Sequence, residues 1–270
     1  MSALATRVFR GQERVEAPDP ADRGLAYGDG LFETLRVCGN TLPWWPRHAA
    51  RLARGAAVLD LPMPDRDWLQ DQLAELLVQA PGQGVLKLML TRGVGGRGYA
   101  PPARPEPSLI LSLHALPADP GPLRLRWCRT RVSLQPALAG IKHLNRLDQV
   151  LARGEWRDGD IHEGLMLDAA GHLACATSAN VFAFIDGRWL TPSLAAGGIA
   201  GLARDWVLAN EPGAGTTALT PAMIGSAQAL FLCNAVRGIL PVGQLDELHW
   251  PPHPGTERLR RALDRELTVA

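Results

Sequence analysis

The chain has 270 residues and a mass of 29.1 kDa, with 46% hydrophobic and 20% charged residues. This composition is typical of a globular protein with one large or two modest cores, and it excludes disordered, collagen-like and small disulfide-bonded proteins. Because 28 basic residues stand against 27 acidic ones, for a net charge of +1, we expect no general attraction to nucleic acid or membranes. No apolar run has the length of a signal peptide or a membrane span, which predicts a cytoplasmic protein.

The first 116 residues predict a small N-terminal α+β domain. Helix patterns cover about residues 46–59 and a segment that begins near Asp65, whose side chain suits an N-cap position. This second helix places five apolar residues on one face: Trp68, Leu69, Leu73, Leu76 and Leu77. Strand patterns bounded by turn residues occupy residues 5–10, 32–38, 85–91 and 109–114.

A proline-rich connector at residues 117–122 predicts the boundary to a larger C-terminal domain over residues 123–270. That domain opens with a strand over 123–132 and continues with a helix over about 144–156. Four apolar residues share one face of this helix: Leu144, Leu147, Val150 and Leu151. The dipeptide Asp186-Gly187 predicts a type I′ hairpin. Strands near 229–233 and 239–242 and helices from Ala200 and Thr256 follow.

The four cysteines of the chain, at positions 38, 128, 175 and 233, are tens of residues apart. This spacing fits neither a disulfide framework nor a paired metal motif, and the seven histidines do not add a ligand cluster. We therefore expect reduced cysteines and no metal site.

Residues 93–98 match the pattern G-x-G-x-x-G after a predicted strand, which is the spacing of a dinucleotide-binding turn. Such a turn must open a helix whose N-terminus meets the pyrophosphate. Here Pro101 and Pro102 follow, and they prevent a helix at this position. The segment is better explained as a flexible loop that presents Arg97 and Tyr99, since arginine suits carboxylate recognition.

Only two of the 28 basic residues are lysines, Lys87 and Lys142. A lysine in an arginine-rich chain points to chemistry that a permanently protonated guanidinium cannot perform, above all covalent bonding of its amine to a carbonyl group. Lys87 lies within a predicted strand, on the face opposite its leucines, and we interpret it as structural. Lys142 lies at a loop-to-helix junction, where apolar neighbours would lower its pKa by desolvation.

The segment around Lys142, Ala-Gly-Ile-Lys-His-Leu-Asn-Arg-Leu at 139–147, resembles the lysine segment of fold-type IV pyridoxal-phosphate enzymes. This family includes branched-chain and D-amino acid aminotransferases and 4-amino-4-deoxychorismate lyase, and the segment is most similar to the lyase form. Four more segments resemble the family in the same order: 27–34, 48–52, 91–99 and 198–204. The resemblance extends over nearly the whole chain. It implies an α+β fold with a small α/β sandwich domain and a larger β-barrel-like domain with helices.

The resemblance implies that Lys142 binds pyridoxal phosphate covalently and then acts as the acid and base of the reaction. It assigns the cofactor phosphate to the side chain of Arg51 and to two loops of the C-terminal domain. One loop precedes a predicted helix and the other matches a second phosphate-contacting segment of the family: Gly198, Ile199 and Ala200, and Asn234 with Ala235. The Gly-Gly junction before a helix is by itself a suitable phosphate site. Because Ala235 has no hydroxyl group, only its backbone is available for such a contact.

The resemblance also assigns Phe32, Arg97 and Tyr99 to the substrate, with Arg97 and Tyr99 on a carboxylate. Five residues before Asn180, most members of the family carry a glutamate that pairs with the pyridine nitrogen of the cofactor. This chain has Cys175 there, and a thiol does not supply that charge. The substitution favours the lyase, in which formation of an aromatic ring drives the reaction, over an aminotransferase, which needs a stronger electron sink.

The resemblance, together with this substitution, therefore implies a lyase that converts 4-amino-4-deoxychorismate to 4-aminobenzoate and pyruvate in folate synthesis. Two alternatives remain open: an aminotransferase for D- or branched-chain amino acids, and a catalytically silent homologue that binds the cofactor. The expected partner is a small-molecule substrate, without nucleic acid, membrane or metal. The resemblance further implies a homodimer.

Overall fold

The computed structural model describes residues 3–80, 82–195 and 197–268. It divides into two compact units. The first contains the residues up to Pro117 together with Ile141–Asn145 and Thr268, and the second contains Ala118–Gly140 and Arg146–Leu267. The sequence predicts one boundary at 117–122, whereas the structure assigns Ile141–Asn145 to the first unit. Two tertiary backbone hydrogen bonds, from Phe32 to the Lys142 carbonyl and from Leu144 to the Gly30 carbonyl, explain this difference, and a sequence pattern does not reveal them.

The first unit contains a five-stranded antiparallel sheet with the order β2-β1-β5-β4-β3. Its strands are β1 (Ala5–Arg10), β2 (Glu13–Val15), β3 (Gly30–Cys38), β4 (Gln83–Thr91) and β5 (Ser108–Ala115). Its helices are α1 (Arg23–Tyr27), α2 (Trp45–Leu59) and α3 (Arg66–Leu77). The predicted helix start at Asp65 is confirmed, because the Asp65 carboxylate accepts a hydrogen bond from the Trp68 amide at 2.9 Å.

Alternation along the central strands separates the two faces of this sheet. One face carries a leucine-rich core: Leu31, Leu35, Leu86, Leu88, Leu90, Leu109, Leu111 and Leu113. Helix α2 packs on β3, and Trp68 of α3 makes an edge-to-face contact with Phe9 of β1. The opposite face holds half-buried side chains, among them Phe32, Thr34 and Lys87. The predicted position of Lys87 opposite the leucines of its strand is therefore confirmed.

The second unit is built on a mixed sheet with the order β11-β10-β9-β12-β13-β6-β7-β8, and β14 pairs with β13. Strand β8 approaches β9 and β10, so the sheet forms a half-barrel, and the predicted α+β fold is confirmed. The strands are β6 (Leu123–Trp127), β7 (Glu163–Leu167), β8 (Leu173–Ala176), β9 (Asn180–Ile185), β10 (Arg188–Pro192), β11 (Gly215–Thr217), β12 (Ala229–Asn234), β13 (Gly238–Leu245) and β14 (Leu248–His249). The helices are a 3₁₀ turn at Pro136–Leu138, α4 (Leu147–Arg153), α5 (Leu202–Asn210), α6 (Pro221–Gly225) and α7 (Pro254–Thr268).

The predicted hairpin turn between β9 and β10 is confirmed. Asp186 and Gly187 have φ angles of 50° and 77°, and Ile185 pairs with Arg188 across the turn. Positive φ at both central residues is the mark of a type I′ turn, whose twist matches that of the flanking strands.

The helix predicted over 144–156 is shorter in the structure, where α4 covers Leu147–Arg153. It does not begin at Leu144 because the Leu144 amide donates to the Gly30 carbonyl at 2.9 Å, inside the first unit. The apolar face of α4 is also solvent-exposed in the single chain, since Leu147, Val150 and Leu151 have relative exposures of 73%, 61% and 62%. Within the described ranges, no helix combines the length and hydropathy that a bilayer span requires.

All four cysteines are buried, and within the described residues none of them forms a disulfide. Burial raises the pKa of the Cys128 and Cys175 thiols to about 12 and also raises that of Cys233. Because the thiolate is the reactive species, we expect the native protein at pH 8 to react negligibly with a chromogenic thiol reagent. The denatured protein should release four equivalents of chromophore. Rapid labelling of the native protein would contradict this burial.

Candidate active site

Lys142 lies in the segment Ile141–Asn145, which belongs to the first unit and runs beside the start of β3. The Phe32 amide donates to the Lys142 carbonyl at 2.9 Å, and His143 forms an isolated β-bridge with Leu31. These backbone contacts place the Lys142 Nζ 4.2 Å from the centroid of the Phe32 ring. Lys142 and Phe32, which the resemblance assigned to catalysis and substrate binding, are therefore neighbours.

Lys87 approaches the same aromatic ring from β4. Its Nζ lies 5.8 Å from the Phe32 centroid. The register of the two strands explains this, because Met89 pairs with Phe32 and Lys87 pairs with Thr34 on the same face of the sheet. Both lysines of the chain thus meet at one phenylalanine.

Glu33, on the core face of β3, contacts two buried basic side chains of α2, those of Arg51 and His48. Arg51 donates from Nε to Glu33 Oε1 at 2.8 Å and from Nη2 to Oε2 at 2.5 Å. His48 Nδ1 lies 2.6 Å from Glu33 Oε2. All three side chains are buried, so this bidentate pair fixes the plane of the Arg51 guanidinium.

The pKa shifts of Glu33 and His48 indicate how this group is charged. Burial by itself would raise the pKa of Glu33, but the hydrogen bonds from Arg51 and His48 lower it to about 2. The pKa of His48 is lowered chiefly by burial and further by the charges of Arg51 and Lys142, against the opposing effect of Glu33. We infer a neutral imidazole that donates its Nδ1 proton to an ionised Glu33.

Sequence reasoning did not assign a role to Glu33 or His48, although both lie in segments that carried the family resemblance. The sequence does contain a signal that Glu33 is unusual. Glu33 is a charged residue among the apolar positions Leu31, Leu35 and Val37 of one strand face, and buried charges require partners. The partner, however, is separated from Glu33 by 18 residues, and only the packing of α2 on β3 identifies it.

The glycine-rich loop after β4 contains no helix, as the sequence predicts, and it presents Arg97 and Tyr99 to solvent. Its backbone is held by Arg23, whose guanidinium donates to three consecutive carbonyl groups, those of Gly98, Tyr99 and Ala100, at 2.8–3.2 Å. The Tyr99 ring also lies 5.4 Å from the ring of Tyr27. The loop therefore has a defined path even where its side chains are exposed.

A second carboxylate anchors Arg23. Asp29 accepts from Arg23 Nε at 2.8 Å and from Arg92 Nε at 2.9 Å. Burial would raise the pKa of Asp29, but the two guanidinium groups keep it below its usual value. Arg92 further donates to the Leu59 and Asp60 carbonyl groups at the end of α2. This network connects the loop to the sheet and to α2.

In the second unit, the loop that precedes α5 has the features of a phosphate site. Gly198 has a φ of +87°, a left-handed conformation that favours glycine. A Cβ at Gly201 would overlap Asn180 Oδ1, and Asn180 Nδ2 donates to the Ile199 carbonyl at 3.0 Å. Gly201 is also the N-cap of α5, and its cap has no side-chain hydrogen bond. A helix N-terminus without a side-chain cap suits an anion.

The predicted contact between the Ala200 amide and the phosphate does not fit the structure. The Ala200 amide donates to the Gly140 carbonyl at 2.9 Å and so is not available to a ligand. Of the two amides predicted to bind phosphate, Ile199 therefore remains the candidate. Pairing of the loop with Gly140, which is remote in sequence, is a tertiary feature that the local pattern does not contain.

Three predicted site residues remain. Asn234 is the last residue of β12, Ala235 follows it, and Cys175 lies on β8. Asn234 Oδ1 accepts from the Val236 and Arg237 amides at 3.0 and 2.9 Å, so this oxygen closes the turn after β12. Ala235 is buried beside it. Cys175 is buried on β8, where burial raises its pKa to about 12 although the charge of Arg146 lowers it. The thiol is therefore neutral near pH 7.

Comparisons with known proteins point to one family. A family model described as amino-transferase class IV matches residues 30–245. An aminodeoxychorismate lyase from Vibrio harveyi is 30% identical over 256 residues, which cover 90% of this chain and 94% of the relative. A D-alanine aminotransferase from Bacillus licheniformis is 27% identical, with 96% of each chain covered. The crystal structure of 4-amino-4-deoxychorismate lyase from Pseudomonas aeruginosa matches with a TM-score of 0.89 and 41% identity, covering 97% of this chain and 100% of that one.

Proposed function

Because the chain belongs to the amino-transferase class IV family, we propose that it is a pyridoxal-phosphate-dependent lyase that converts 4-amino-4-deoxychorismate to 4-aminobenzoate and pyruvate in folate synthesis. The observation that carries this proposal is the Lys142 amine, held on the Phe32 ring in a segment most similar to the lyase form. Similarity over nearly the full length to two aminodeoxychorismate lyases supports it.

The residues present fit the cofactor. In the first unit, Lys142 is the proposed covalent attachment and Arg51, oriented by Glu33, is the proposed phosphate ligand. In the second unit, the Ile199 amide and the start of α5 are the proposed anion contacts, and the close approach of Asn180 to Gly201 fixes that loop. When bound, pyridoxal phosphate supplies an electron sink for negative charge at the amine-bearing carbon of the substrate.

We propose that the Lys142 Nζ moves the protons of the reaction. As a neutral amine it removes the proton from the ring carbon that bears the amine, and the bond between the neighbouring ring carbon and the enolpyruvyl oxygen breaks. A proton returned to the departing enolpyruvyl group completes pyruvate. The ring becomes aromatic in the same step, which provides the driving force.

The neutral Cys175 thiol supports the lyase reaction over transamination. A carboxylate at this position would keep the pyridine nitrogen protonated and so strengthen the electron sink. The Cys175 thiol, with its pKa raised to about 12, does not supply that charge. A reaction that ends in an aromatic ring depends less on this assistance than an aminotransferase does.

We expect the purified holoenzyme to release 4-aminobenzoate and pyruvate in equal amounts from 4-amino-4-deoxychorismate, without any keto acid present. Fluorescence of 4-aminobenzoate and a coupled pyruvate assay measure the two products. With D-alanine and a keto acid as the control substrates, we expect a rate at least about 100-fold lower. Turnover that requires an amino donor and a keto acceptor would instead identify an aminotransferase. A protein that takes up no cofactor and turns over neither substrate would be a silent homologue.

We further propose that the protein acts as a cytoplasmic homodimer. The exposed apolar side chains of Leu147, Val150 and Leu151 on α4 form the kind of surface that a second copy covers. Four cysteine thiols without a disulfide among the described residues fit a reducing compartment. Sedimentation of the purified protein, with Leu151→Glu as the comparison, tests the dimer.

A further inference from the structure

We propose that Arg23 holds the loop of residues 93–100 in the shape in which Arg97 and Tyr99 reach the substrate carboxylate. Arg23 is thus a positioning residue, because it acts through the loop and not on the substrate. This inference rests on the proposed lyase function, from which Arg97 and Tyr99 take their role. Arg23 is separated from Gly98 of the loop by 75 residues, and no motif in the sequence connects the two.

The far end of the loop depends on the Arg23 side chain. Gly98, Tyr99 and Ala100 form no backbone-to-backbone hydrogen bond within the residues that the structure describes. Their carbonyl groups instead accept from the Arg23 guanidinium, at 3.1, 2.8 and 3.2 Å. The guanidinium also lies 5.0 Å from the centroid of the Tyr27 ring, which contacts the Tyr99 ring. Because a charged donor strengthens each hydrogen bond, these contacts fix the path of three consecutive residues.

The beginning of the loop is attached to the same residue. The Arg23 amide donates to the Gly93 carbonyl at 2.9 Å, and Asp22 and Val94 form an isolated β-bridge. The loop then lies against the aliphatic part of the Arg23 side chain, since a Cβ at Gly95 would be 2.6 Å from Arg23 Cδ. Arg23 therefore contacts the loop near its start, at Gly95 and at its end.

Arg23 is itself held in place, so it is a rigid support for the loop. Its side chain is 5% exposed, and its Nε donates to Asp29 Oδ2 at 2.8 Å. The same carboxylate accepts from Arg92, which also donates to carbonyl groups at the end of α2. A guanidinium has five N–H donors in one plane and so bonds a carboxylate and several carbonyl groups at once, which a lysine ammonium does not.

The support of the loop has a consequence for substrate binding. Arg97 and Tyr99 are exposed, and a loop without a fixed backbone would distribute their side chains over many positions. A backbone that is ordered before the substrate binds loses less conformational entropy on binding. We therefore expect loss of the Arg23 contacts to raise KM and to leave kcat almost unchanged, because Lys142 stays intact.

Trypsin cleavage after Arg97 tests the support of the loop on the holoenzyme without any substrate. Gly95 and Gly96 give a matched pair of variants, because neither has a left-handed φ, and a Cβ at Gly96 has no atom within 4 Å. We expect Gly95→Ala and Arg23→Met to be cleaved at least about 10-fold faster than the wild type, and Gly96→Ala at the wild-type rate. Arg23→Lys should behave as Arg23→Met, because it keeps the charge but not the planar set of donors. Mass spectrometry of the fragments measures this cleavage.

Kinetics test the effect on substrate binding. For Gly95→Ala and Arg23→Met we expect KM for 4-amino-4-deoxychorismate to rise about 10- to 100-fold, with kcat within about threefold of the wild type. Gly96→Ala should keep the wild-type KM. The double variant of Gly95→Ala and Arg97→Met should raise KM by less than the product of the two single effects, since both changes remove the same contact.

Equal cleavage of the Gly95→Ala and Gly96→Ala proteins would overturn the proposal. Wild-type behaviour of Arg23→Lys, a loss in kcat instead of KM, or fully multiplicative effects in the double variant would overturn it as well. If Arg23→Met does not fold, the two glycine variants decide the matter, because each adds one methyl group to a surface loop. Absence of any turnover by the wild type would contradict the lyase function, whereas the cleavage pattern separately decides whether Arg23 holds the loop.

Discussion

Replacement of Lys142 by alanine is expected to lower kcat for 4-aminobenzoate release by roughly 10⁴-fold or more. The variant loses the group that we propose both attaches the cofactor covalently and moves the substrate proton. The absorbance band of the lysine-bound cofactor, expected at roughly 410–430 nm, should disappear as well. Stopped-flow or steady-state assays and an absorption spectrum of the reconstituted protein measure the two effects.

Two further variants distinguish the covalent chemistry of the Lys142 amine from its positive charge. Lys142→Arg keeps a positive charge beside Phe32, but a guanidinium remains protonated and does not form the covalent bond, so we expect it to be as inactive as Lys142→Ala. Lys87→Arg should keep the absorbance band, because the attachment point is intact. If Lys142→Ala retained the band and substantial turnover, the assignment of Lys142 would be wrong.

Glu33→Gln is expected to lower the free energy of unfolding by about 3–5 kcal/mol, because it removes the buried carboxylate that accepts two hydrogen bonds from the Arg51 guanidinium. Urea unfolding followed by circular dichroism measures the loss. The matched control is the pair Arg7–Glu75, whose atoms are 2.7 Å apart but whose Glu75 side chain is 61% exposed. Solvent screening makes such pairs weak, so Glu75→Gln should cost less than about 1 kcal/mol. Equal losses for the two variants would contradict the importance of burial.

The lowered pKa of Glu33 predicts that the free energy of unfolding depends on pH. The pKa of Glu33 is lowered in the folded protein from 4.5 to about 2, so its ionised form stabilises the fold. This contribution, on the order of 3 kcal/mol, is complete above the unfolded-state pKa and is lost as the pH falls from 4.5 to about 2. The gap in unfolding free energy between the wild type and Glu33→Gln should therefore narrow over this range. A gap that stays constant with pH would show that Glu33 is not ionised in the fold.

Local structure was predictable where short-range sterics and hydrogen bonding decide it. The Asp65 cap depends on one side chain and an amide three residues away. The turn at Asp186-Gly187 depends on the φ angles of two residues. Alternation placed Lys87 opposite the leucines of β4. Where a longer-range hydrogen bond competes, the local pattern failed, as for Leu144, whose amide pairs with Gly30 instead of starting a helix.

The candidate site likewise has features that the sequence predicts and features that depend on long-range contacts. The sequence by itself determined the α+β class and, through resemblance, the cofactor and the reaction, and it predicts Lys142 as the attachment residue. Only the tertiary structure decided that Glu33 orients Arg51, that the Ala200 amide is occupied, and that Lys87 shares the Phe32 ring with Lys142. The physical reason is strand register and helix packing, which bring together residues far apart in the chain and depend on the whole sheet, so no window of sequence contains them.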